Sequence, residues 1–250
     1  MQLVTSEPWR GLKVQNAFHD LTPQSFWRLA DDSRIAEEYR IDSNLRYLRT
    51  APLIALKKIF VQYRFFTIYY IADLALLVSK MPFGTLRSCL AEFLSEELGD
   101  GDPGMAHPQL YDDFLVSLGV ANETLSKGNE KCLASLETIQ NSLLQRPWAY
   151  GVGLRGMGGE CLCQIYLSAM YEHFMLNPHI QERKADLAWK FWDIHTGEVD
   201  MVHRARTRNA ISQLILKDPD TMVELAGGYL ESKAAWDLFW QAIFAAARME

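Results

Sequence analysis

The stretch from Leu53 to Lys80, LIALKKIFVQYRFFTIYYIADLALLVSK, constrains the fold more than any other part of the chain. Its longest apolar run, residues 65–78, contains Asp73 and is shorter than the ~20 residues that a membrane-spanning helix needs. Ala51-Pro52 predicts a helix start before the stretch, and Met81-Pro82-Phe83-Gly84 predicts a break after it. The stretch therefore predicts a long helix buried in the core of a protein.

Similar signals divide the rest of the chain into helices. Thr22-Pro23 joins a capping hydroxyl to a proline at the first helical position, and Pro147 starts a later helix. A further helix is predicted from about Ala185 to Ile215, and Asp218-Pro219 separates it from the last one. Strands are not needed, because no alternating apolar pattern with turn signals occurs. We predict an all-α fold, a bundle of seven to eight helices in a single domain over residues 1–250.

Composition limits the compartment and the partners of the protein. Of its 250 residues, 49% are hydrophobic, which is enough for a sizeable core, and the net charge of −6 argues against nucleic acid or an anionic membrane as a partner. The N-terminal residues lack the layout of a signal peptide, and the cysteines form no CxxC pair. We expect a cytoplasmic homodimer with a small-molecule substrate and with reduced thiols at Cys89, Cys132, Cys161 and Cys163.

The segment SEELGDGDPGMAHPQLYDDF is the first of three that could supply metal ligands. Glu96 and Glu97 end one predicted helix, and His107 begins the next. A loop rich in glycine and aspartate would fold the two helix ends back toward each other. Carboxylates at a helix C-terminus oppose the helix dipole, so their presence there favours a functional reason. A solvated helix end with His107 as a surface cap is the interpretation without metal.

Glu160 is the second candidate, because it is the only charged residue between Arg155 and Glu172. An unpaired buried charge is very costly, so Glu160 should either bind a metal or pair with a buried basic residue. Gly158 and Gly159 each cost a helix about 1 kcal/mol relative to alanine. They predict that another helix or a ligand approaches closely at this point.

The third segment is HTGEVDMVH, which begins at His195 and ends at His203. On a regular helix these two side chains lie roughly 80° apart, and Glu198 is the better-placed carboxylate. A π-bulge near Gly197 would bring His195, Asp200 and His203 within roughly 60° of one another. An amphipathic helix with a charged outer face is the interpretation without metal.

In their order along the chain, these segments resemble the haem-oxygenase-like non-haem diiron oxidases and oxygenases. That group includes the chlamydial protein that forms para-aminobenzoate, alkene-forming fatty-acid decarboxylases and nitrile-forming members. Glu96 before a Gly/Asp loop, His107 in HPQLYDDF, Glu160, and the His–acid–His set match its motifs. The resemblance covers roughly residues 35–210, the expected metal-binding core. The loop is longer than in many members, and the first His-to-acid gap is one residue longer than usual, which leaves Asp200 or Glu198 open.

The resemblance implies two ferrous ions that are readily lost, with O2 as co-substrate. The ligands it implies are Glu96, His107, Glu160, His195, Asp200 and His203, with Glu97 open as an alternative to Glu96. It further implies oxidation of a small amino acid or amino-acid derivative, with aromatic ones among the candidates, to a nitrile, an alkene or a cleaved product. A fatty acid is a competing substrate. Two functions without iron also stay open. One is a metal-free relative, such as a thiamin-salvage hydrolase or a cofactorless quinone-forming oxidase, and the other is a helical interaction protein.

We expect apolar and aromatic groups to line the substrate cavity, since small-molecule sites are mostly apolar. The candidates are the stretch from Tyr63 to Tyr70 and the stretch from Trp189 to Trp192. Arg155 lies just over one helical turn before Glu160, so it could clamp a substrate carboxylate. A structural ion pair is the alternative role for Arg155.

Overall fold

The computed structural model describes residues 21–160, 162–197 and 199–248, without the side chains of Glu160, Val199 and Asp200. The first helices are α1 (Pro23–Leu45), α2 (Leu53–Lys80), α3 (Thr85–Glu97), α4 (His107–Ser117), α5 (Asn122–Leu125) and α6 (Glu130–Gln145). Helix α7 (Trp148–Gly151) continues into a π-helical segment, Val152–Glu160. The remaining helices are α8 (Cys163–Phe174), α9 (Pro178–Gln181), α10 (Lys190–His195), α11 (Val199–Lys217) and α12 (Thr221–Arg248). Short 3-10 turns cover Arg46–Arg49 and Pro103–Met105.

The predicted all-α fold is confirmed. The structure is 81% helical, and no strand occurs in the ranges that it describes. Eight of the α-helices have eleven residues or more, in agreement with the predicted bundle of seven to eight helices. Helix α1 begins where Thr22-Pro23 predicts, with a capping box in which the Ser25 amide donates to the Thr22 hydroxyl at 3.2 Å.

Helix α2 is a core helix, as its sequence predicts. It packs against α3, α4, α6 and α12 and buries, among others, Phe60, Tyr63 and Asp73. By length and composition alone it could cross a membrane, but half of its most apolar window is buried inside the protein. A core helix of a soluble protein meets the same criteria, so this is weak evidence for a membrane span.

Glycines let α7 and the π-helical segment lie in close contact with α12. A Cβ atom on Gly153 would lie 2.0 Å from the Leu225 carbonyl oxygen, and one on Gly228 would lie 2.0 Å from the Tyr150 carbonyl oxygen. A Cβ on Gly158 would lie 1.9 Å from the Ser232 hydroxyl. The glycines before Glu160 thus serve the close approach of a helix, one of the two predicted reasons for them.

The region around HTGEVDMVH differs from the prediction. The predicted helix from Ala185 to Ile215 is wrong, because α10 ends at His195 and α11 begins at Val199. Residues 196 and 197 form a turn and a bend, so the described residues show a helix break near Gly197 rather than a π-bulge. The π-helical segment that the structure does contain lies at Val152–Glu160, within the helix that Pro147 was predicted to start.

Candidate metal centre

Three side chains from three helices converge on one point. A carboxylate oxygen of Glu97 and a ring nitrogen from each of His107 and His195 all lie within 4.8 Å of one another. Nδ1 of His107 is 2.9 Å from Oε2 of Glu97. The rings of His107 and His195 meet edge to face, with centroids 4.7 Å apart, and both are buried. This cluster joins the end of α3, the start of α4 and the end of α10.

The loop between α3 and α4 brings Glu97 and His107 together. Gly99, Asp100 and Gly101 all have positive φ values, which reverse the chain within a few residues. A Cβ on Gly99 would lie 2.1 Å from the Asp102 carbonyl oxygen, so only glycine fits the turn. The loop therefore folds the two helix ends together, as the sequence predicts.

His203 and Glu96 form a pair beside the cluster. Nε2 of His203 is hydrogen-bonded to Oε2 of Glu96 at 2.6 Å. The His203 ring stacks on Phe93 of α3, with centroids 4.2 Å apart. His203 also lines the cavity that His107 and His195 line. The helix break after His195 thus places both histidines of HTGEVDMVH at one cavity.

The charge state of Glu97 follows from its neighbours. Burial would raise the pKa of the Glu97 carboxyl, but the charges of His107, His195 and His203 outweigh burial and hold the pKa below its usual value. Glu97 is therefore a carboxylate at neutral pH, the form that binds a cation.

The cavity next to these ligands is narrow and mostly aromatic. Its other lining residues are Tyr63, Phe66, Thr67, Tyr70, Cys163, Leu167 and Phe191. Its volume is about 30 Å³, which is room for about two waters or ions rather than a bulky molecule. Tyr63 thus lies where a substrate-binding residue was expected, and Phe191 is the member of the predicted Trp189–Trp192 stretch that lines this cavity.

Arg155 lies behind the cavity wall, fully buried, and pairs with Asp73 of α2. Its Nε donates to the Asp73 carboxylate at 2.9 Å. The guanidinium carbon lies 5.4 Å from the centre of the Phe66 ring and 5.7 Å from that of Tyr70. This is the structural ion pair that the sequence left open as the alternative to a substrate clamp.

The structure describes the side chains of some of the predicted ligands but not of others. The structure brings His107, His195 and His203 to one cavity, where Glu97, the alternative to Glu96, completes the three-residue cluster. Glu96 itself is hydrogen-bonded to His203 and is not among the residues that line the cavity. Glu160 ends the π-helical segment and Asp200 lies in the first turn of α11, but their side chains, and all of Glu198, lie outside the described residues.

Two cysteines lie close to Glu160 in the sequence. Cys163, interpreted from sequence as a core thiol, lines the cavity, whereas Cys161 lies outside the described residues. Its position three residues after Glu160, a predicted metal ligand, is the sequence feature that could have predicted that Cys163 lies at the cavity.

The donor set fits iron. Two imidazoles and a carboxylate are ligands that suit iron and similar metals. Nδ1 of buried His107 makes no well-oriented hydrogen bond, although the Glu97 carboxylate is only 2.9 Å away. A close but misaligned pair of this kind fits two donor atoms that would share a cation.

Comparison with known proteins assigns the family. A family model for iron-containing redox enzymes with the haem-oxygenase-like fold matches residues 57–237. The chain belongs to this iron-containing redox enzyme family. No curated protein matches the sequence.

Two crystal structures of one protein share the fold. They show a CADD-like protein of unknown function from Nostoc punctiforme PCC 73102. The first has a TM-score of 0.71 at 18% identity and covers 90% of this chain and 95% of that one. The second has a TM-score of 0.67 at 20% identity and covers 84% and 90%. At this identity the likeness shows the fold alone.

Proposed function

We propose that the protein is an O2-activating non-haem diiron oxidase or oxygenase that acts on a small amino acid or amino-acid derivative. The observation that carries the proposal is the cluster of Glu97, His107 and His195 in one aromatic cavity, which His203, the partner of Glu96, also lines. Membership of an iron-containing redox enzyme family supports it.

Each ligand has a proposed place. Glu97, His107 and His195 would hold one iron, because their donor atoms already converge. Glu96 and His203 would serve the second, together with Glu160 and Asp200 from the predicted set. The bound iron would supply one-electron redox chemistry and a binding place for O2.

The cavity wall has a separate role. Phe66, Phe191 and Leu167 exclude water, while the hydroxyl of Thr67 donates to the Arg64 carbonyl at 2.8 Å. Among the described residues that line the cavity, the histidines are the only side chains that can carry a positive charge and receive a substrate carboxylate. We propose that a carboxylate of the substrate would turn toward the metal ligands and its apolar part toward Tyr63 and Phe66. A fatty acid would need the narrow cavity to widen.

Anaerobic titration with ferrous iron, followed by O2, tests the function. We expect the protein to bind two irons per chain. In a screen of amino acids and fatty acids, we expect only some compounds to stimulate O2 consumption. Binding of no iron, or O2 consumption indifferent to every candidate substrate, would count against the proposal. A Glu92→Gln variant is the matched control, because Glu92 is an exposed carboxylate of α3 that pairs with Arg206 outside the cavity.

A metal-free hydrolase is a second candidate, favoured by one observation. Cys163 lines the same cavity, and its Sγ lies 3.8 Å from the Tyr63 hydroxyl. A cysteine nucleophile would serve such an enzyme. In that case Cys163→Ser would abolish turnover, and His195→Ala would leave it intact; the iron enzyme predicts loss of O2 consumption on His195→Ala.

A further inference from the structure

A column of oxidisable rings leads from the cavity wall to Tyr166, which does not line the cavity. Tyr63, in the cavity wall, stacks on Trp240 of α12 with centroids 5.7 Å apart, and Trp236 stacks at 6.5 Å. Trp236 and Trp240 lie 6.4 Å apart and nearly parallel. Tyr166 of α8 ends the column, 4.2 Å from Trp236 and 6.1 Å from Trp240. All four rings are buried, so water does not separate neighbouring rings, whose centroids lie 4.2–6.5 Å apart.

A buried carboxylate lies at the far end of this column. The Tyr166 hydroxyl donates to Oε1 of Glu37 at 2.7 Å, and only 2% of Glu37 is exposed. Arg40 pairs with Glu37, and Nζ of Lys233 lies 3.9 Å from it. Burial and the negative charge of Glu37 raise the pKa of the Tyr166 phenol well above its usual value. Tyr166 is therefore a neutral phenol with a base in place.

We propose that Tyr63, Trp240, Trp236 and Tyr166 form a one-electron relay that carries an oxidising equivalent from the cavity to Tyr166. This rests on the proposed function, whose iron and O2 supply the oxidant. In the net step Tyr166 gives up one electron, which reduces the oxidant by one electron, and its O–H bond breaks. The proton passes to Glu37, leaving a neutral tyrosyl radical and a neutral carboxylic acid.

The hydrogen bond to Glu37 distinguishes a relay from ordinary aromatic packing. If the ring of Tyr166 served only for packing, a phenylalanine would fill its place. The buried Glu37 carboxylate, whose charge Arg40 and Lys233 balance, would then not be needed. Tyr111 provides the contrast, because it is equally buried and lies 5.8 Å from Tyr63. Its hydroxyl donates to the Phe60 carbonyl at 3.1 Å, and a peptide carbonyl is too weak a base to keep the proton. Oxidation should therefore come to rest at Tyr166 and not at Tyr111.

Freeze-quench electron paramagnetic resonance of the iron-loaded protein mixed with O2, without substrate, tests the relay. We expect a tyrosyl signal that narrows when the protein carries ring-deuterated tyrosine and that Tyr166→Phe removes. Tyr39→Phe, which changes a tyrosine 82% exposed on α1, should leave the signal unchanged. Glu37→Gln should suppress the signal at least tenfold, because the amide cannot take the proton.

The outcomes separate the relay from the proposed function. Iron binding and O2 consumption without a tyrosyl signal, or with a signal that survives Tyr166→Phe, would overturn the relay and leave the oxidase standing. Absence of O2 consumption would overturn both. Because Glu37→Gln could disturb folding, its melting temperature is compared with that of Tyr166→Phe, and Trp236→Phe provides a second test, which should slow signal formation severalfold.

Discussion

Nδ1 of His107 lies 2.9 Å from Oε2 of Glu97, and each belongs to a different helix end. Two ligand atoms at about 2.1 Å from one cation and at right angles to each other are about 3 Å apart. The observed separation fits two neighbouring ligands of one cation, and it is also the length of a hydrogen bond. Because Glu96 instead contacts His203, we propose Glu97 as the ligand that shares a cation with His107.

Glu97→Gln should weaken binding of the first iron by at least about tenfold, because the amide removes the charge and the only carboxylate of the cluster. Ferrous titration of the metal-free protein, followed by optical or Mössbauer spectra, measures this. Glu96→Gln should spare the first iron and affect the second. If Glu96→Gln alone abolished tight binding and Glu97→Gln did not, the two roles would be reversed.

The lowered pKa of Glu97 predicts how stability of the metal-free protein depends on pH. Because the pKa is lower in the folded protein than the ~4.3 of an unfolded glutamate, its stabilisation is complete above that value and is lost as pH falls through the folded pKa. Denaturant unfolding between pH 7 and pH 3 measures the free energy of unfolding. Glu97→Gln should show a shallower loss below about pH 4. Equal slopes for the variant and the unaltered protein would contradict this assignment.

Gly153→Ala should lower the free energy of unfolding by about 1–3 kcal/mol, because the added methyl would meet the backbone of α12, which cannot rotate away. Gly156→Ala is the matched control in the same π-helical segment. There the nearest atom is a side-chain methyl of Val152 at 3.3 Å, which needs only a small adjustment. Urea unfolding of both variants checks the prediction, and an equal effect would show that helix propensity, not contact with α12, decides.

Much of the fold could be predicted because its signals are local. Proline and capping residues set helix starts at Thr22-Pro23, and the apolar density of residues 53–80 identifies the core helix. The family resemblance is confirmed at the level of iron-containing redox enzymes. The substrate, the iron count and the dimer stay predictions.

The errors arose where tertiary contacts override local signals. Gly197 suggested an irregular turn, but whether that turn is a π-bulge or a helix break depends on how α10 and α11 pack, which spacing alone does not show. The choice between Glu96 and Glu97, which the sequence left open, depends on the rotation of the last turn of α3 relative to His107. Asp73 and Arg155 are 82 residues apart, so no sequence period could pair them.

The buried pair of Asp73 and Arg155 provides the last prediction. Both side chains are fully buried, so Asp73→Asn or Arg155→Met alone should lower the free energy of unfolding by about 3–5 kcal/mol, through the uncompensated charge that remains. The double variant should lose less than the sum of the two, because it leaves no lone charge. Chemical denaturation of all four proteins gives the coupling energy. Additive losses, together with a selective rise in KM for Arg155→Met, would instead favour the substrate clamp.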